Sequence, residues 1–378
     1  MKGIISKLIL MIILVASVNA QAQQQQRKEI KVQMKGESWQ YDPGTIEFLD
    51  IDGHHAMKIT DGRHMATLKG IDFTDGVIAF DIQLMPAGFT SVYFRQQSAD
   101  ERECFYFRTG KNRNDDAEDA LQYAPIVGSI NLWDIFPEYQ SNASLKIGKW
   151  NHVKMIISGK QMRVYVNDTL HPALIVPHLE GNTANGAIAF DGEPLIANLV
   201  IKPGATEDLS PLPQADITDN DHRYLRKWEV SQQVTYLKPG IDFSFNDMPD
   251  STAAWGPVSA ERKGLINLTR KFGGNQQRKA VWLKTNIHAD ADMIKKLRLG
   301  FSDEVWVFIN RQLLYLDKNN FNTPTMKTPD GRISLDNTSF NLPLKKGDNE
   351  LLICVENDFY GWGIIAHLDD NKGLSLKR

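Results

Sequence analysis

The sequence predicts an all-β protein: two β-sandwich (jelly-roll) domains behind a cleaved signal peptide. Three observations predict it. Short runs of alternating polarity, rich in β-branched and aromatic residues, recur with turn residues between them, and helical periodicity is nearly absent. A stretch rich in Pro and Asp breaks every period near the middle of the chain. The 378 residues are 42% hydrophobic and 24% charged, which excludes a disordered chain, a collagen and a multi-span membrane protein. At roughly 150 residues per domain, this length makes two domains.

The first element is an address. Lys2 and Lys7 lead into the apolar run Leu8 to Val18, and Asn19-Ala20-Gln21-Ala22 then offers a small-x-small cleavage site. A membrane span needs about 20 apolar residues, and this run is shorter. Residues 1–22 are therefore expected to be removed, leaving an exported, periplasmic or extracellular protein without an integral span. Cys104 and Cys354 are too few for a disulfide framework or a four-cysteine zinc site. A net charge of -3 and the lack of a long basic run argue against nucleic acid as a partner. Charge is unevenly split: residues 23–220 carry 18 basic and 27 acidic side chains, residues 221–378 carry 23 and 19. Such a split suggests two separately evolved modules.

The first module is expected over residues 36–203. Its strands include Val77 to Leu84, Ser91 to Arg95, Cys104 to Arg108, Trp150 to Ser158 and Met162 to Val166, the last two joined by Gly159-Lys160-Gln161. Pro203-Gly204, Pro211 and Pro213 mark a linker over 204–225. The second module is expected over 226–370, with strands Ala280 to Ile287, Lys296 to Phe301, Val305 to Ile309, Leu313 to Leu316 and Leu351 to Glu356. Asn310-Arg311-Gln312 reads as a hairpin turn. Asp290-Ala291-Asp292 reads as the cap of a short helical turn through Met293 to Lys295.

The order of motifs carries a resemblance. Ala66 to Gly70 leads into Phe73 to Asp81, then Val92-Tyr93-Phe94-Arg95, Phe105-Tyr106-Phe107-Arg108, Lys149 to Lys154, Val164 to Asn167 and Gly186 to Phe190. This resembles a concanavalin A-like lectin/glucanase domain of laminin-G type, and is similar to the bacterial domains grouped with 3-keto-disaccharide hydrolases. In that fold a curved antiparallel sheet presents a concave face on which sugars commonly bind. Trp255-Gly256, Gly264 to Leu268, Gly300 to Asn310, Leu342 to Leu352 and Asn357 to Gly363 are similar to the galactose-binding-like jelly roll found beside many glycosidases. Trp362, between glycines, would either stack on a ligand or plug the end of that sandwich.

The resemblance implies a glycan or glycoside as partner. Flat aromatic faces stack on sugar C–H faces, and amides and Arg bind hydroxyls. Tyr93, Arg95, Arg108, Gln122, Tyr123 and Trp133 form the candidate binding group, expected to converge on the concave face of the first sandwich. Glycoside hydrolysis usually needs two carboxylates about 5–10 Å apart. The Glu-x-Asp-x-x-Glu strand motif of the family's glucanases is missing, so Asp81 and then Asp134 are the candidate catalytic carboxylates. The acidic loop Asp115, Asp116, Glu118 and Asp119 offers the oxygen ligands that a structural calcium would take, and otherwise reads as a solvated loop. No other cofactor is implied. Three functions stand: glycan binding, hydrolysis of the 3-keto-disaccharide type, and protein-binding adhesion or scaffolding.

Overall fold

The computed structural model describes residues 29–110, 117–236, 247–274 and 277–376. The expected signal peptide lies outside them, as do Asp115 and Asp116. The chain forms two compact units, and both are all-β. The first holds the described residues up to Tyr123 together with Tyr139–Gln214; the second holds Ala124–Glu138 and Ala215 onward. A fifteen-residue piece from the middle of the first module's sequence is thus part of the second unit.

In the first unit one antiparallel sheet runs in the order Leu174–Val176, Gln161–Val166, Trp150–Ser158, Gly76–Gln83, Leu195–Pro203, His54–Ile59, Ile46–Ile51. The other runs Glu101–Thr109, Gly88–Gln96, Ala187–Phe190, Ala66–Leu68, Trp39–Gln40. Leu121–Tyr123 pairs with the first of these strands, and Gln140–Ser141 pairs with Leu121–Tyr123. Alternation decides what each strand buries. Ile78, Phe80 and Ile82 point inward from one sheet and are fully buried, as are Val92, Phe94, Phe105, Phe107 and Phe190 from the other. Phe80 meets Phe190 edge to face, with centroids 5.2 Å apart, so the inner faces pack on each other and the outer faces look in opposite directions. Gly159 turns the hairpin between Trp150–Ser158 and Gln161–Val166 at φ +50°, and a Cβ there would stand 2.1 Å from the Pro211 carbonyl oxygen.

In the second unit the larger sheet runs Trp255–Ser259, Lys227–Ser231, Lys279–Ala289, Gly347–Asn357, Glu304–Ile309, Gln312–Lys318. The smaller runs Leu265–Asn267, Gly363–Leu368, Met293–Ser302, Thr338–Leu344. Val281, Leu283, Val305, Val307, Ile353 and Val355 of the larger sheet share one core with Leu297, Leu299, Phe301, Ile364 and Leu368 of the smaller. Trp362 is fully buried in that core and donates its indole N–H to the Gly273 carbonyl at 2.8 Å, so it plugs the sandwich. Asn310 and Arg311 both take positive φ between Ile309 and Gln312, the backbone of a two-residue hairpin turn. The helical turn expected at Met293 to Lys295 is strand instead. Met293 pairs with Leu344 and Lys295 with Leu342, and Asp292 accepts the Lys346 amide at 2.8 Å rather than capping a helix. Sheet pairing along ten residues outweighs one local cap.

Candidate functional site

Strand Glu101–Thr109 has two chemically different sides. Phe89 lies opposite Arg108, Ser91 opposite Tyr106 and Tyr93 opposite Cys104, while Gln122 lies opposite Tyr106 on the next strand. Side chains directly opposite share a face. Phe89, Tyr93, Cys104, Tyr106, Arg108 and Gln122 therefore stand on the outward face, and Val92, Phe94, Glu103, Phe105 and Tyr123 turn inward.

The outward face is a framework of fixed polar groups with an aromatic ring at its edge. Arg108 reaches Asp119, donates to the Gln122 amide oxygen at 2.9 Å and meets the Tyr106 hydroxyl at 3.5 Å. Its guanidinium carbon is 5.4 Å from the centroid of the Phe89 ring, and Phe89 is 59% exposed. Arg102 lies over the Tyr93 ring, 3.8 Å from its centroid, and donates to Gln96 at 3.2 Å. Tyr93 donates its hydroxyl to Asp191 at 2.5 Å, and the same carboxylate accepts the Ser91 amide at 3.0 Å. Burial, reinforced by Cys104 and Asp191, holds the Tyr93 phenol far above its ordinary range. Burial also pushes the Cys104 thiol well up, so it is no nucleophile.

Two expected members of this group leave the face. Arg95 takes φ +50° where the pairing with Ala187–Phe190 is irregular, and its side chain turns into neighbouring loops. There it donates to the carbonyls of Thr74 at 2.8 Å and Gly159 at 2.9 Å and pairs with Asp75 at 2.8 Å. Tyr123 follows Gln122, so alternation sends it inward. It donates to Glu103 at 2.6 Å and accepts the Glu180 amide at 2.7 Å; Tyr139 donates to Glu180 at 2.6 Å. Burial raises the Glu103 carboxyl above the usual range, with the Tyr123 hydrogen bond opposing it. Gly181 packs directly on this group, since a Cβ there would fall 2.6 Å from the Glu103 oxygens.

Trp133 and Asp134 belong to the second unit. Trp133 meets Phe321 edge to face at 5.0 Å, and Arg332 lies 5.2 Å from its ring centroid. Asp134 is buried, accepts the Gly361 amide at 3.3 Å, and is pushed well up by burial and then by Asp303. The expected convergence of all six binding residues on one face of the first sandwich is therefore replaced by three on the face, two turned away and one in the other unit. Asp81 stands on the outer face of the other sheet. It accepts from Asn198 at 2.7 Å and pairs with His152 Nδ1 at 2.7 Å. Asn198 reaches it from a bulge at φ +52°, and also contacts His54, whose ring lies 4.4 Å from Trp150.

Among the described residues no group of three or more His, Cys, Asp and Glu is placed to hold a metal ion, and Asp119 is engaged by Arg108. Sequence reasoning missed Phe89, Arg102 and Asp191. Strand alternation from Tyr93 back to Phe89, and from Arg108 back to Arg102, is the signal that marks the first two. Asp191 arrives from a distant turn and leaves no such signal.

The chain is similar to several solved structures. A carbohydrate-binding module, CBM66, from Bacillus subtilis is 14% identical, with 43% of this chain and 95% of that one covered and a TM-score of 0.33. A Parabacteroides distasonis protein described as a glycosyl hydrolase is 13% identical, covering 47% and 100%, with a TM-score of 0.35. The Bacillus licheniformis beta-glucanase is 8% identical, covering 47% and 99%, with a TM-score of 0.32. No curated protein matches the chain. Residues 21–196 match the family model described as a 3-keto-alpha-glucoside-1,2-lyase-like domain, and this resemblance covers most of the first unit.

Proposed function

We propose that this is an exported glycan-binding protein and that the glycan lies on the outward face of strands Gly88–Gln96 and Glu101–Thr109. One observation carries the reading: the exposed Phe89 ring stands beside Arg108, and Arg108 is held in place by Asp119 and Gln122. A solvent-facing ring supplies a platform for sugar C–H groups, and a guanidinium fixed by its own partners donates to hydroxyls at little further entropic cost. Tyr93 and Gln122 are the frame beneath, and Arg95 and Tyr123 fix the turns and inner layer that shape it. The match of residues 21–196 to a 3-keto-alpha-glucoside-1,2-lyase-like domain supports a carbohydrate as the ligand. The leader-like start of the sequence supports export, and its acidic first half and lack of a basic run favour a glycan over nucleic acid. The test is a glycan array with the parent protein, followed by affinities of Arg108→Ala for the glycans retained. Arg108→Ala is expected to weaken binding while the thermal transition stays cooperative. Unchanged affinity removes this face as the site.

The Asp81–His152 pair favours a second reading, cleavage of a 3-keto-glycoside. His152, its side chain 53% exposed, is held by Asp81 through Nδ1 and keeps Nε2 for proton transfer. Product release from 3-keto-glycosides by the parent, lost in Asp81→Asn, would establish it. No turnover by the parent, or turnover that survives Asp81→Asn, eliminates Asp81 from catalysis. Saturable binding to a protein ligand in place of any glycan would point to an adhesion or scaffold module.

A further inference from the structure

We propose a second saccharide site, for a neutral sugar, in the second unit, formed by Asn320, Phe321, Asp358 and Phe359 at one end of its larger sheet. The two phenyl rings are stacked, 5.5 Å apart and only 5° from parallel, and Phe321 is 40% exposed. Trp133 braces Phe321 at 5.0 Å, and Tyr360 braces Phe359 at 4.6 Å, both edge to face. The exposed Phe321 ring, backed by the half-buried Phe359 and braced by Trp133, forms a platform whose rotamer is already chosen before a ligand arrives.

The polar half of the site is equally fixed. Asp303, buried beneath the loop, accepts the amides of Asp358 at 2.6 Å and Phe359 at 2.7 Å. Asn319, also buried, holds the other loop by donating to the Phe301 carbonyl at 3.0 Å and accepting the Lys327 amide at 2.8 Å. What these anchors present is the Asp358 carboxylate, 42% exposed, beside the Asn320 amide, which is itself held by donating to Glu304 at 3.1 Å. Asp358 is only loosely engaged: Asn320 stands 3.5 Å and Arg278 3.6 Å away. A carboxylate with spare acceptor capacity beside an amide matches a pair of sugar hydroxyls, and the neighbouring ring matches the C–H face of the same sugar. At this end Arg278 pairs with Glu356 and Lys318 with Glu304, which leaves the Asp358 carboxylate as the charge that faces a ligand. That charge disfavours a uronate or a phosphorylated sugar and selects a neutral one. This inference does not rest on the first unit's site.

The test is isothermal titration of the full chain carrying Phe89→Ala, which silences the face proposed above. The probes are short neutral oligosaccharides of glucose, galactose, mannose and xylose, with oligogalacturonate beside them. The expected result is saturable binding of at least one neutral oligosaccharide, one per chain, weakened about tenfold or more by added Phe321→Ala and by added Asp358→Asn. Should Phe321→Ala fail to fold, Asp358→Asn, an isosteric change at an exposed side chain, decides alone. Binding indifferent to both changes, tighter binding of oligogalacturonate, or no binding of any neutral probe overturns the proposal. Failure of the first-unit reading shows separately, as an unchanged affinity on going from the parent to Phe89→Ala.

Discussion

Glu103 in the first unit and Glu356 in the second are both fully buried on sheet strands, yet they are accommodated in opposite ways. Glu103 faces the inner layer opposite Phe94, and its partner is a neutral donor, the Tyr123 hydroxyl. Burial raises its carboxyl, and the tyrosine hydroxyl donates to it. Glu356 lies directly opposite Glu304, a like-charged pairing that a sheet normally avoids, and Arg278 reaches both. Burial, then Glu304, pushes Glu356 up to about 8, against the pull of Arg278. A buried carboxyl can thus be accommodated by a neutral hydroxyl donor or by a cation shared with a second carboxyl. The second arrangement is sensitive to pH near neutrality.

Removing the cation should be the most damaging way to break this comparison. Arg278→Met leaves Glu304 and Glu356 facing each other, and is expected to cost about 3 kcal/mol in urea unfolding. Adding Glu356→Gln should recover much of it; no recovery would mean that Arg278 acts through packing. In the first unit Tyr123→Phe strips Glu103 of its donor and is expected to cost about 1–3 kcal/mol by the same measurement. Glu103→Gln keeps the hydrogen-bonding shape and should cost less than Tyr123→Phe, which an ion-pair role for Glu103 would reverse.

The pH dependence sharpens the contrast. Glu356 carries a folded pKa of about 8 against an ordinary value of 4.5, and burial likewise lifts Asp303 to about 7 from 3.8. Each raised value means that the folded state holds more protons than the unfolded one. Their contribution is therefore full below the ordinary carboxyl range and is lost as pH rises through about 7 to 8. Unfolding free energy of the second unit should fall from pH 5 to pH 8, with a slope that Glu356→Gln reduces. A slope that Glu356→Gln leaves intact would show that Glu356 does not titrate there. Asp81→Asn should have the smallest effect on stability, within about 0.5 kcal/mol, because its partner His152 is half exposed.

The alternating runs made the fold legible. Val77 to Leu84 and Cys104 to Arg108 are strands because their period is two, and the glycines and Asn310 sit where the turns need them. The site was legible only where alternation held. Tyr93, Arg108 and Gln122 share a face, as their spacing allows. Arg95 has the same parity as Tyr93 but leaves because its backbone is left-handed, which no spacing rule foresees. Gln122 and Tyr123 cannot face the same way in one strand, and the inward one went to Glu103. Trp133 is ten residues from Tyr123, yet the chain passes into the other unit at Ala124. Nothing local in Ala124–Glu138 marks that crossing, because its hydrophobic residues would suit either core.

The central claim is that a glycan rests on Phe89 and Arg108. A crystal structure of the protein with the tightest ligand from the glycan array tests it most directly. The account predicts a sugar ring in van der Waals contact with Phe89 and a hydroxyl within hydrogen-bond distance of the Arg108 guanidinium. A fully occupied glycan bound elsewhere on the first unit, with Phe89 still facing solvent, would contradict it.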